Sequence, residues 1–444
     1  MVPRRALLQA GLVLPLASAC GSGLLTGEPG MVRIAVPWSG YELAAFRKVL
    51  RDRRIDGVVE VLPLGDDIDL ALDARGSSAP DIVLLPEAGR VRQLADSVLR
   101  PVDERLWLDT DGWRYADEWR NLLWHNGKPY GVPFKAANKS MVWYDRYAFG
   151  REPADEPRGW TLADWPRRME EDFSARGKPR LLALGAADGW VLANMFSNVL
   201  FDVSLMLNGS PWDYEDLAGP GQGSWARTWD RGSVRATLAM LGRIWSNKYA
   251  FPGGVAQTLT RQFPDAVRDV FELRRAALVV APDFAEPVVR RCLQRTGRPA
   301  DCVGVMQFPP VAPGFHRPLI AGGDVITVTA AAREEAGQVV AALADPLAPL
   351  PWLKDEGGFL APNLRTPIRV SSMVAALEPE MLTWLDSWTE FDLADLVGTV
   401  GRRDGLWRIL TQFLIEIGDG QVDRLPDQID WAIAELDRFE RSSA

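Results

Sequence analysis

The sequence predicts an α/β protein built on parallel strands, and three observations carry that prediction. Between residues 32 and 85, short apolar strands alternate with stretches of helical spacing. One of those strands, residues 82–85, is apolar throughout, as in sheets covered on both faces. The chain has 444 residues, 47% of them apolar and 25% charged, which is ordinary globular composition with room for two or three domains.

The elements follow in order. Residues 32–36 alternate as a strand, and Trp38, Ser39 and Gly40 form a loop with Ser39 as a candidate helix cap. Leu43, Phe46 and Leu50 then recur at helical spacing. Residues 58–62 make a second strand, and Ile68, Ala71 and Leu72 mark a second helix ending near Gly76. Pro80 precedes the third strand. This strand–helix alternation implies parallel pairing with right-handed crossovers. Open sheets of this kind bind ligands at the carboxyl ends of their strands. Here those ends carry Trp38 and Glu87, an indole and a carboxylate. Further on, 238–245 and 263–273 have helical spacing, and 217–223 is a Gly/Pro-rich loop. Short strands are expected at 303–309 and 324–328, and a helix at 333–344. The C-terminal part reads as helical, with Trp384, Trp388 and Trp407 on apolar faces.

Residues 1–30 have the layout of an export signal and linker. Arg4 and Arg5 precede a short apolar run, and Ala17, Ser18 and Ala19 precede Cys20. A lipid on Cys20 would tether the chain to the outer face of the cytoplasmic membrane. No later segment reads as long and apolar enough to span a bilayer. Cys292 and Cys302 are close in sequence, and either a disulfide or two reduced thiols fits them.

Enzyme signatures are missing. The two histidines, His125 and His316, have no metal-ligand spacing to a partner, and neither a metal nor a cofactor is implied. There is no nucleophile elbow, Walker loop or Cys-x-x-Cys motif. Gly219, Gly221 and Gly223 follow no strand and lack the sixth-position glycine of a dinucleotide loop. A carboxylate pair for glycoside hydrolysis is the enzyme reading the sequence leaves open. A net charge of −9 without a basic run excludes the electrostatic footprint of a nucleic-acid binder.

At Gly127-Lys128-Pro129-Tyr130-Gly131-Val132-Pro133-Phe134-Lys135 and Lys139-Ser140-Met141-Val142-Trp143-Tyr144 the chain resembles the family 1 extracellular solute-binding proteins of ABC importers, above all their α-glucoside-binding branch. Pro37-Trp38-Ser39-Gly40 with Glu42, Pro86-Glu87-Ala88-Gly89, Asp188-Gly189-Trp190, Gly322-Gly323-Asp324 and the run from Gly357 to Asn363 extend the resemblance over residues 31–410. It implies a two-lobed periplasmic-binding-protein-like fold with lobes joined by crossing hinge segments. Lobe one would comprise 31–135 plus 322–360, and lobe two 140–318 plus 361–444. It also implies a monomer that captures a carbohydrate between its lobes and delivers it to an ABC permease, without catalysis.

A sugar site needs aromatic faces for C–H groups and convergent polar groups for hydroxyls. The 18 tryptophans suit that need, although most must be core. Trp38 and Trp190 are the candidate stacking residues. Glu87 and Asp324 are candidate hydroxyl acceptors, or else loop caps. Ser39 and Gly323 flank these positions. Glu42 contacts ligand or favours its helix's first turn. Lys135 and Asn138 reach the cleft or tie the hinge. Asp283 follows an apolar strand where the family often presents a contact, although the local Arg274-Arg275-Ala276-Ala277 departs from its pattern. The competing ligands are a glycerophosphodiester, which would need clustered Arg or Lys, and a polyamine, which would need carboxylates with aromatic walls. A surface sensor or scaffold without transport is the remaining alternative.

Overall fold

In the computed structural model of the chain, residues 30–76, 79–150, 155–219, 227–314, 319–378 and 390–443 are described. The export segment with Cys20, Gly221, Gly223, His316, Trp384 and Trp388 lie outside them.

The first lobe opens with β1 (Val32–Val36), α1 (Gly40–Asp52), β2 (Val59–Pro63), α2 (Asp69–Asp73) and β3 (Ile82–Leu85). β1 lies between β2 and β3, parallel to both and wholly buried. α1 forms where the sequence spacing places it: Ala45, Phe46, Val49 and Leu50 are its buried stripe against the sheet. Ser39 stands at its N-cap position but is exposed and makes no capping bond.

β4 (Gly131–Asn138) belongs to this first sheet, whereas β5 (Met141–Asp145), two residues later, belongs to a second one. The chain therefore passes between lobes at Lys139 and Ser140. In the second lobe follow β6 (Arg180–Ala183), α3 (Gly189–Asn208), α4 (Gly232–Trp245), α5 (Phe263–Phe271), β7 (Ala276–Val280), α6 (Glu286–Thr296) and β8 (Val303–Gln307). The second sheet runs β6–β7–β5–β8, with β5 antiparallel to both of its neighbours. The chain then returns as β9 (Ile320–Thr329), which pairs antiparallel with both β3 and β4.

Later elements include α7 (Ala336–Leu343), α8 (Leu350–Asp355), β10 (Glu390–Phe391), α9 (Leu393–Leu396), α10 (Arg408–Ile417) and α11 (Leu425–Ser443). β10 pairs with Ile320 and Ala321 of β9, in the first sheet. It is an exception to the expectation that everything after residue 361 joins the second lobe. The cause is β9's length: ten residues run past the end of four-residue β3 and leave a strand edge open.

One expectation fails outright. α3 is long and apolar enough, by length and composition, to cross a membrane. Its 18-residue apolar window is 78% buried inside the protein, and it packs against α4, α9 and α10 as the central helix of the second lobe. A core helix surrounded by others is apolar all round, and sequence alone misses it when Asn194, Asn198 and Asp202 interrupt the run.

The two crossings are tied together. Ser140 Oγ accepts from the Ile320 N–H at 2.6 Å, and the Lys139 N–H donates to the Ile320 carbonyl at 2.8 Å. Gly323 on the return strand has φ of +152°, and a Cβ there would lie 2.0 Å from the Lys135 carbonyl oxygen. Glycine is needed at this point because β9 and β4 approach too closely for any side chain.

Candidate functional site

The carboxyl end of β1, the first turn of α1 and the two crossing strands bring four of the candidate residues together. Lys135, on β4, is paired in register with Asp324 on β9. Its ammonium lies 2.9 Å from Glu42 Oε1 and 3.4 Å from Asp324 Oδ2. Burial works against that charge, but Glu42 and Asp324 outweigh it and hold the Lys135 pKa above the ordinary lysine value. Asp324 serves as the second carboxylate on one ammonium. Burial lifts its pKa, against the pull of Lys135 and with Glu42 adding to the rise.

Trp38 completes this group from inside. Its indole N–H donates to Asp324 Oδ2 at 3.1 Å. The ring is only 3% exposed, packed edge-on by Phe46 and Trp352 at 5.0 Å each. In this structure Trp38 presents no open face for stacking. Lys135 Nζ also lies 4.4 Å from the ring centroid of Trp352, 5.1 Å from that of Trp38 and 5.6 Å from that of Phe359. Nothing in the sequence set Trp352 apart from the other tryptophans, and Phe359 appeared only as part of a motif.

Glu87, half-buried beyond β3, is held by Arg90 at 3.3 Å. Burial raises its pKa, and Arg90 opposes the rise. Arg90 also grips Asp69 at 2.6 Å, and Arg402, from the helical C-terminal part, reaches the same Asp69 at 2.8 Å. Beside this chain, Lys139 is buried between Asp392 and Asp395 at 3.0 and 2.8 Å. Burial disfavours the Lys139 charge, yet the two carboxylates raise its pKa further than burial lowers it. Lys139 stood inside the recognised motif. Its partners are missing from the sequence reading because they lie far along the chain.

The second lobe contributes Asp283, Phe284 and Trp190. Asp283 is 1% exposed and its Oδ2 accepts from the Asn138 N–H at 3.1 Å, across the lobe junction. The side-chain Oδ1 of Asn138 accepts from the Ser140 N–H at 2.8 Å, so Asn138 ties the hinge. Asp283 Oδ1 has no hydrogen-bond partner among the described residues. Burial pushes the Asp283 carboxyl up to about 7, against the Asn138 N–H and the charge of Lys135. Next to it, Phe284, Phe263 and half-buried Trp190 form an aromatic triad with centroids 5.2–5.5 Å apart. A Cβ on Gly358 would lie 3.3 Å from Phe284 Cα, so this triad borders the first lobe. An unpaired buried acceptor beside half-open aromatic rings is what a polyhydroxylated solute requires.

Cys292 and Cys302 are free, buried thiols in this structure. Burial pushes the Cys292 thiol up to about 11, and its S–H lies 3.8 Å from a Glu272 carboxylate oxygen. Among the described residues no three His, Cys, Asp or Glu side chains converge as metal ligands. Two surface cavities of about 380 and 470 Å³ lie away from the lobe junction, one beside residues 100–106 and α7, the other between α6 and residues 372–377.

Three curated relatives match part of the chain. The osmoprotective compounds-binding protein of Synechocystis sp. is 22% identical over 56% of this chain and 56% of its own length. The alpha-glucosides-binding periplasmic protein of Rhizobium meliloti is 25% identical over 53% of this chain and 51% of its own length. The chain is a relative of the extracellular solute-binding proteins. It spans about half the length of the curated relatives it matches. No protein-family model matches it. The fold of this solute-binding-protein relative is two-lobed α/β. The bacterial solute receptor AcbH, described as having an exclusive preference for β-D-galactopyranose, superposes with a TM-score of 0.70. That match covers 92% of this chain and 100% of the receptor at 16% identity. These relatives and neighbours are binding proteins, not enzymes.

Proposed function

We propose that the chain is the extracytoplasmic substrate-binding component of an ABC importer, taking a di- or oligosaccharide of the α-glucoside class into the cleft between its lobes. In this reading Cys20 carries the lipid anchor, the protein acts as a monomer, and a permease receives the ligand from the closed form. The observation that carries the reading is the unpaired, buried Oδ1 of Asp283 beside the Trp190–Phe263–Phe284 triad. A carboxylate oxygen without a donor is costly to bury and is satisfied by a solute hydroxyl. The rings next to it supply faces for sugar C–H groups. The matches to an α-glucoside-binding protein and to a galactopyranose receptor support a carbohydrate as that solute.

The test is calorimetric titration of a panel of di- and oligosaccharides against the chain from Leu24 onward, with tryptophan fluorescence alongside. One sugar is expected to bind at micromolar Kd or tighter, about −8 kcal/mol. Trp190→Ala should weaken it at least tenfold and remove the fluorescence change. Silence across the panel from folded protein overturns the carbohydrate reading.

A further inference from the structure

We propose that Lys135 determines which class of solute the first lobe excludes: it is a tethered ligand whose own ammonium fills a cage built for an organic cation. The inference rests on reading the cleft as the solute site, and it adds the class that site refuses.

Two carboxylates, Glu42 and Asp324, lie within 3.4 Å of Lys135 Nζ. Three aromatic rings, of Trp352, Trp38 and Phe359, have centroids 4.4–5.6 Å away. Aromatic faces plus carboxylates are the chemistry that recognises alkylammonium and quaternary ammonium solutes. The rings also hold one another: Trp352 packs edge-on against Trp38 at 5.0 Å and Phe359 at 5.6 Å, so the walls are preorganised. The cage stands at the carboxyl end of β1 and beside the crossing strands, where an open sheet of this type receives its ligand.

The site is open to solvent only through its acids, Glu42 with 27% of its side chain exposed and Asp324 with 14%, whereas Lys135 itself is 7% exposed. A solute cation would have to displace a group held in place by the chain, which competes at the high effective concentration of an intramolecular ligand. A polyamine or betaine is therefore shut out, and a neutral solute is left as the class the cleft can take. The carboxylates share the one ammonium of Lys135 and keep oxygens available as acceptors for hydroxyls.

The test removes the tether. Beyond its Cβ, the Lys135 side chain is an n-propylammonium group, so Lys135→Ala leaves a cage of that size. Calorimetry and thermal unfolding would be run with n-propylammonium chloride against wild type, Lys135→Ala and Lys135→Met, with n-propanol and equimolar sodium chloride as controls. Propylammonium is expected to bind Lys135→Ala saturably, at least tenfold more tightly than it binds wild type or Lys135→Met, and to raise its melting temperature. Propanol should do neither. Adding Asp324→Asn to Lys135→Ala should weaken the amine about tenfold. Should Lys135→Ala not fold alone, refolding in propylammonium is expected to recover it. The proposal is overturned if propylammonium neither binds nor recovers Lys135→Ala, or if propanol serves equally well. None of these readouts depends on which sugar the wild type binds, so failure here and failure of the carbohydrate reading are separate results.

Discussion

Replacing Asp283 with Asn should make the protein more stable and a worse receptor. The carboxyl titrates near 7 in the fold and at 3.8 when unperturbed, because burial outweighs the Asn138 N–H and Lys135. The folded state thus holds this proton more tightly than the unfolded one. Stability is full below pH 4, falls as pH rises through the 4–7 window, and is lost in that amount above about 7. The gap corresponds to about 4 kcal/mol. Asparagine carries no charge to bury and keeps an oxygen for the Asn138 N–H, giving back about 1 kcal/mol for the weaker neutral bond. Urea unfolding should therefore show Asp283→Asn about 3 kcal/mol more stable than wild type at pH 8 and no more stable at pH 4. Asp202, pushed up to about 6 by burial, leaves a shallower slope below pH 6 in both proteins. In the same variant, sugar affinity at pH 8 should fall at least tenfold, because the unpaired oxygen is gone. Unfolding free energies for the two proteins that differ by a constant at every pH would refute the reasoning, since Asp283 would then be ionised in the fold throughout.

Two further perturbations test other parts of the site. Lys139→Met leaves Asp392 and Asp395 buried without their cation and should cost about 3–5 kcal/mol in denaturant unfolding at pH 8. Because burial already raises the Asp395 pKa, part of that loss should return on acidification, and Lys139→Met with Asp395→Asn should recover part of it at pH 8. The two buried thiols should react with an aromatic disulfide reagent only after unfolding, and reductant should leave the melting temperature unchanged.

The fold was legible because its elements are local. β1, α1 and β3 follow from four to thirteen residues of apolar spacing each, and the structure puts them within a residue or two of where periodicity does. The site was legible only as a set of separate suspects. Glu42, Lys135 and Asp324 were each named from position, but that they meet on one ammonium depends on the register between β4 and β9. Trp38 and Asp324 are 286 residues apart and joined by a single indole hydrogen bond. Trp38 reads as a stacking face in the sequence because it follows a strand end. The same strand end also delivers it beneath α1, against Phe46, and the covering rings of Phe134 and Trp352 come from distant segments. Lys139, Asp392 and Asp395 show the same limit: a lysine in a motif is visible, whereas the two acids that give it a role are ordinary residues in a helical region.

On the proposed receptor reading, the contacts between lobes divide into those expected to survive opening and those expected to break. At the hinge, Ile320 donates to Ser140, Asn138 donates to Asp283, and Lys139 is held by α3 through Asn194 and Asn198. These bonds are buried or part-buried at 2.6–3.2 Å, and they fix the axis. Farther out, Arg402 reaches Asp69 and Arg291 lies 4.1 Å from the Tyr41 ring centroid while pairing with Glu356 at 2.8 Å. The ions in these outer pairs are 28–45% exposed, and such pairs contribute about 0–1 kcal/mol each. Breaking both costs about 0–2 kcal/mol of ion pairing. A solute that satisfies Asp283 and stacks on Trp190 in the closed form only would supply a difference of that size, and the equilibrium would follow the ligand.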